Sequence, residues 1–270
     1  YTCKAYKILF SKSDILLTDQ TPLISIPILR FFCFLSSTQL SITWHEVWNV
    51  KTWFRYSRIV GIFGILLQEM ALLFSKNIVV PSVDVAADLE RRLFSRKSTV
   101  IANGVKSSLH LRKIDLTLPK DPSINLLYVG RLIKHKNCDF LVDIMELASG
   151  HSKNWKLTII GIGPFETRLR ELVREKNLEE CIKLKSNVSE IELVEHYSTS
   201  DVFVFPSVTD TFGVVIIEAL AQGCPVAAYP VAGPIDIIKN GVTGYLDNNL
   251  AQSVRNCLAL NNDRIKQASQ

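Results

Sequence analysis

FVFPSVTDTFGVVIIEALAQGCPVAAYPVAGP, residues 203–234, is the stretch whose reading decides the fold. Its β-branched and aromatic run up to Pro206 predicts a strand, the polar residues after it a loop, and a helix opens near Phe212 or Gly213. Gly223-Cys224-Pro225 stops that helix, and residues 226–229 predict a second strand. Asp210 lies in the loop and Glu218 about two turns into the helix. A helix start offers unpaired backbone N–H groups and the positive end of a dipole, so Thr211, Phe212 and Gly213 are candidate amide donors to an anion. The two carboxylates repel phosphate and suit hydroxyls lying on either side of it, a combination found in a sugar nucleotide. The same pattern also fits an ordinary strand-loop-helix unit in which the acid only caps the helix.

Outward from this unit the alternation is regular. Strands are expected at 126–129, 156–160, 182–184 and 243–246, with helices at 138–148, 165–176, 190–197, 235–239 and 250–260. Such alternation predicts a parallel, doubly wound sheet with helices on both faces. Toward the N-terminus the pattern covers about half a domain. Strands are expected at 14–18, 39–43, 77–80 and 98–102, and helices at 22–35, 58–74 and from Ser82 through 94. The strand at 39–43 delivers Trp44, His45 and Glu46 to its C-terminal end, where open α/β sheets place ligands. Residues 106–123 lack periodicity and end in prolines, which divides the chain into an N-terminal domain at 1–110, a linker at 111–123 and a C-terminal domain at 124–270.

Composition bounds the function classes. With 47% hydrophobic residues in 270, the chain has material for real cores. The net charge of +5 is spread along the sequence and does not favour a nucleic-acid partner; it fits an anionic ligand or an anionic membrane surface equally. The six cysteines form no C-x-x-C pair and no metal-ligand spacing, as expected for reduced thiols of a cytoplasmic protein. Two apolar runs, 23–35 and 59–74, are interrupted by Arg30 and by Gln68-Glu69 and fall short of the ~20 residues of a membrane span. They predict buried or membrane-touching helices, and no signal peptide is visible.

Two further strand ends carry candidate ligand groups. Gly130-Arg131 follows the strand at 126–129, with Lys136 at the start of the next helix, so a fork and a point charge could clamp a diphosphate. A solvated surface pair is the alternative. Gly161-Ile162-Gly163-Pro164 follows the next strand, and its glycines would let a flat ring or phosphate approach the backbone. No third glycine follows, so a dinucleotide oxidoreductase is disfavoured.

Together these pieces resemble the GT-B glycosyltransferases of the type often called family 4. The resemblance is carried by TWHEVW from Thr43, IANGV from Ile101, VGRLIKHKN from Val129, IIGIGP from Ile159, FPSVTDTFGVVIIEALAQGCPV from Phe205, AGP from Ala232 and NGVTGYL from Asn240, in the family's order. It implies two Rossmann-like domains facing a cleft and transfer of a hexose from a nucleoside-diphosphate sugar, with retention of configuration, to a glycolipid or polysaccharide-precursor acceptor. Arg131 and Lys136 match the diphosphate-holding positions, Glu218 the ribose acceptor, and Asp210 the first acid of the E-x7-E pattern, which faces the transferred sugar. His45 matches a first-domain histidine near that sugar. The resemblance further implies no metal and no cofactor beyond the donor substrate, and an acceptor that is a sugar or is lipid-linked. Peripheral membrane contact, at the cytoplasmic face of the inner membrane, is compatible with the run at 23–35. Nothing before Asp14 resembles the family's opening strand and Gly-rich loop, and members continue beyond Leu260, so a partial first domain is expected. The alternative is a sugar-nucleotide-binding fragment that is catalytically incomplete.

Overall fold

The computed structural model describes residues 7, 13–54, 57–94, 97–105, 123–149, 154–260 and 265. The chain divides into two compact units, Tyr1–Asn103 and Gly104–Gln270. Apart from Ser123, the expected linker at 111–123 lies outside the described residues.

In the first unit β1 (Ile15–Asp19), β2 (Gln39–Thr43), β3 (Asn77–Val80) and β4 (Ser98–Val100) form a parallel sheet in that order. The connections are α1 (Ser25–Leu35), then α2 (Val50–Phe54) and α3 (Arg58–Phe74), then α4 (Val83–Glu90). Right-handed crossovers that all step the same way place these helices on one face, giving half of a doubly wound sheet. Leu40, Ile42, Ile78 and Val80 project from alternate strand positions into the core, where they meet Ile26, Cys33, Ala71, Leu72 and Leu89. Ser82 starts α4 by accepting a hydrogen bond from the Val85 amide at 3.3 Å, a cap worth about 1 kcal/mol. That helix ends at Glu90, short of the expected 94.

The second unit holds β5 (Ile124–Val129), β6 (Trp155–Ile160), β7 (Ile182–Lys185), β8 (Val202–Phe205), β9 (Val226–Ala228) and β10 (Gly244–Leu246). All pairings are parallel, in the order β10-β9-β8-β5-β6-β7. Helices α5 (Cys138–Ser149), α6 (Glu166–Glu175), α7 (Glu190–Thr199), α8 (Val214–Ala221), α9 (Pro234–Ile237) and α10 (Leu250–Cys257) connect them. The order reverses between β5 and β8, the switch point of the doubly wound topology, and a crevice forms outside the C-terminal ends of strands there. Strand β8 reads Val-Phe-Val-Phe with every residue buried, because a central parallel strand is covered on both faces. Two separate clusters, one around Leu126, Met145 and Ile159 and one around Phe203, Ile216 and Val226, form the core on its two sides.

The five described cysteines are free thiols, and all but Cys181 are buried. Burial raises the Cys257 thiol to about 12, keeping it protonated at neutral pH.

The sheet leaves no room at its β10 edge. A Cβ on Gly244 would stand 2.1 Å from the Val226 carbonyl oxygen. Gly244→Ala therefore destabilises the protein by about 1–3 kcal/mol, measured as a lower urea midpoint followed by circular dichroism.

Candidate active site

Three loops meet at the switch point. The first leaves β5 through Gly130 and Arg131, makes a single 3-10 turn at Lys134–Lys136 and passes through Asn137 in the left-handed region (φ 50°) before α5. Sequence reasoning placed Lys136 on that helix; the tight turn instead turns it back toward β8. Beneath the loop, the buried Tyr128 hydroxyl donates to the Arg131 carbonyl at 3.2 Å and lies 3.3 Å from the Cys138 thiol. Burial is the main reason the Tyr128 phenol stays protonated far above its ordinary range. Asn137 Nδ2 donates to the Pro206 carbonyl at 3.3 Å, fastening the first loop to the one that follows β8.

The second loop follows β6. A Cβ on Gly161 would fall 1.9 Å from the Gly130 carbonyl oxygen, and one on Gly163 2.2 Å from that of Leu132. The close approach for which these glycines leave space is thus that of the neighbouring loop, and the two loops form one packed floor.

The third loop runs from Pro206 to the N-terminus of α8. Lys136 Nζ and Asp210 Oδ2 are joined in an ion pair whose side chains are 15% and 17% exposed. The ammonium also lies 5.7 Å from the centre of the Phe205 ring, within cation–π range. The other Asp210 oxygen accepts from the Phe212 amide at 3.4 Å, so one of the three expected donor amides is engaged by the loop's own carboxylate. Gly213 caps α8 at φ +87°, a conformation glycine adopts without strain. Gly233 presses on the same loop: its Cβ would meet the Phe212 carbonyl oxygen at 2.7 Å.

Glu218 sits inside α8, where Tyr197 donates to its Oε2 at 3.0 Å. Desolvation first and the Glu218 charge second raise the Tyr197 phenol, which remains a donor. Arg131 is exposed and pairs with no carboxylate among the described residues. In the first unit His45 follows β2, its Nε2 3.1 Å from Asp19 Oδ1 at the end of β1.

The structure therefore brings Lys136, Asp210 and Phe212 together, sets Arg131 on the adjoining loop, and places Glu218 farther along the same strand-loop-helix unit, inside α8. Sequence reasoning missed Tyr197, Asn137 and Asp19. Asn137 carried a signal, since asparagine after a cationic turn is a common left-handed residue; Tyr197 and Asp19 carried none, because their partners are distant in sequence.

Residues 113–264 match the family model described as Glycosyl transferases group 1. The chain belongs to that family. Among curated relatives, this group 1 glycosyltransferase is 31% identical over 163 residues to the amylovoran biosynthesis glycosyltransferase AmsD of Erwinia amylovora, an alignment spanning 58% of this chain and 45% of AmsD. It is 30% identical over 145 residues to the UDP-N-acetylglucosamine–peptide N-acetylglucosaminyltransferase GtfA subunit of Streptococcus pneumoniae, spanning 53% of this chain and 27% of GtfA. The chain thus spans less than half the length of these relatives. Among solved structures, Anabaena HepE in complex with UDP and glucose superposes with a TM-score of 0.75 at 16% identity, covering 99% of this chain and 74% of HepE. The fold is GT-B, with one Rossmann-like parallel sheet in each unit.

The ion pair gives a direct test of the site's construction. A double-mutant cycle with Lys136→Met and Asp210→Asn should give a coupling of about 1 kcal/mol at low salt, read from urea unfolding. Additive single effects would show that the two groups do not support each other.

Proposed function

We propose that the protein is a family 4, retaining glycosyltransferase that moves a hexose from a nucleoside-diphosphate sugar to a glycolipid or polysaccharide-precursor acceptor. The observation that carries this reading is the meeting of Lys136, Asp210 and the α8 N-terminus at the switch point, beside an exposed Arg131. An ammonium has three donors, so Lys136 can keep Asp210 and still reach a diphosphate. Arg131, exposed on the adjoining loop, adds a planar fork. Together with the amides at the start of α8 they stabilise the charge that builds on the leaving diphosphate, preorganised electrostatics worth several kcal/mol in such sites.

Each remaining group has a role in the same scheme. Asp210 accepts from hydroxyls of the transferred sugar, and Glu218, oriented by Tyr197, accepts from the ribose. Gly130, Gly161 and Gly163 shape the floor on which the nucleotide lies. His45, its ring nitrogen directed to Asp19, serves the sugar from the acceptor-side unit. The acceptor hydroxyl attacks from the face the diphosphate leaves, and a phosphate oxygen takes its proton. Relatives support the donor class: HepE was solved with UDP and glucose, and GtfA is named for UDP-N-acetylglucosamine. AmsD, named for amylovoran biosynthesis, supports a saccharide acceptor. Free thiols among the described residues fit a cytoplasmic setting, and peripheral membrane contact is part of the proposal.

A nucleotide-sugar-binding module without turnover is the second reading, favoured by a first sheet of four strands against six in the second among the described residues. Calorimetry with UDP beside a donor-hydrolysis assay separates the two: binding with turnover supports transfer, binding alone the module. Within an active enzyme, Lys136→Ala should lower kcat/KM for the sugar nucleotide by ~100-fold, while Lys183→Ala, at an exposed position on β7, leaves it unchanged. Equal, small effects at both positions would remove the phosphate assignment.

A further inference from the structure

The loop that carries Arg131 and Lys136 rests on one buried hydroxyl. Leu126 and Tyr128 alternate onto one side of the sheet, in a buried cluster with Leu132, Cys138, Leu141 and Met145. Tyr128 is the last β5 residue on that side, so its ring reaches past the end of the strand and under the loop. Gly130 leaves the space for it: a Cβ there would stand 2.9 Å from the phenol oxygen. The hydroxyl donates to the Arg131 carbonyl at 3.2 Å, and the Cys138 thiol, on the first residue of α5, donates to the hydroxyl at 3.3 Å.

A phenylalanine would fill the same core, so the oxygen is not needed for packing. Burying a hydroxyl costs nearly as much as one neutral hydrogen bond returns, which leaves its net contribution to folding small. Nor does the Arg131 carbonyl depend on it, since the Ile133 amide donates to the same oxygen at 3.1 Å. What the hydroxyl adds is direction. Gly130 and Leu132 are tied to the neighbouring loop through amide bonds to the Ile160 and Ile162 carbonyls, at 3.0 and 2.9 Å. Arg131, between them, is held from below by a rigid ring anchored in the core. Burial keeps that phenol protonated, so it stays a donor at neutral pH.

The exposed Arg131 side chain leaves the loop from this fixed peptide. A guanidinium that takes a phosphate through two parallel N–H bonds tolerates only small errors in placement, and its long stem multiplies any movement of its root. We propose that Tyr128 is a positioning residue for the donor diphosphate, its hydroxyl fixing the backbone from which the Arg131 fork reaches the ligand. This deepens the proposed function and rests on it in assigning Arg131 to the diphosphate.

The test removes the oxygen alone. Tyr128→Phe should melt at the wild-type temperature by circular dichroism, yet bind UDP about tenfold more weakly by calorimetry. Arg131→Ala weakens UDP binding by itself, and adding Tyr128→Phe to it should change nothing further, because the hydroxyl acts through that side chain. Amide hydrogen exchange across residues 131–136, measured without nucleotide, should quicken about fivefold in Tyr128→Phe while β5 and α5 exchange as before. Wild-type UDP affinity in Tyr128→Phe, or full additivity with Arg131→Ala, overturns the proposal. So does a fall in melting temperature that accompanies the lost affinity, since the hydroxyl would then hold the fold rather than the loop. The exchange measurement separates this role from the donor reading. A wild type that takes up no UDP removes the donor assignment, whereas unchanged loop exchange in Tyr128→Phe removes the positioning role whatever the nucleotide does.

Discussion

The complete burial of β8 is the constraint on which the candidate site depends. Its four residues are closed in between β5 and β9, with Phe203 and Phe205 packed in the core and no slack in the ladder on either side. Because the strand cannot shift, the loop that leaves it starts from a fixed point and a fixed direction. Asn137 ties that loop to the one after β5, and Gly233 backs it from the other side. The half-buried ion pair of Lys136 and Asp210 is a product of this frame. An exposed pair of the same residues would contribute little, but here the Phe205 ring and the loop backbone remove much of the surrounding water.

The arrangement also settles how the free site holds its charge. Lys136 is neutralised by Asp210, while Arg131 is exposed and pairs with no carboxylate among the described residues. In the proposed role, a ligand carrying both phosphate and hydroxyl groups would satisfy all three, whereas a bare phosphate would leave Asp210 facing a like charge.

Much of this was legible in the sequence, and the exceptions have physical reasons. Residues 39–43, 58–74 and 77–80 form the elements expected to the residue, because a short β-branched run and a long apolar helix leave little ambiguity. The loop boundaries around β8 and α8 were equally clear, since Pro206, Gly213 and Gly223 punctuate them. Helix α2 was not foreseen: its five residues are too few for periodicity, and it exists because Trp53 and Phe54 rest on the glycines of α3. Lys136, expected at the start of the helix at 138–148, instead closes a 3-10 turn, which shares its composition with a first helical turn. The pairing of Lys136 with Asp210 joins positions too far apart for any spacing rule. Only the strand order brings them to the same point.

The interlocked glycines of the β5 and β6 loops have a bearing on how such a site can diversify. Two backbones in van der Waals contact, at Gly161 against Gly130 and Gly163 against Leu132, cannot lengthen or gain side chains independently. Any variation on that side must preserve both partners at once. Val208 and Thr209 are under no such restriction, both open to solvent beside the ion pair. Under the proposed function, a preference for one sugar over another could change through those two positions without disturbing the interlocked floor.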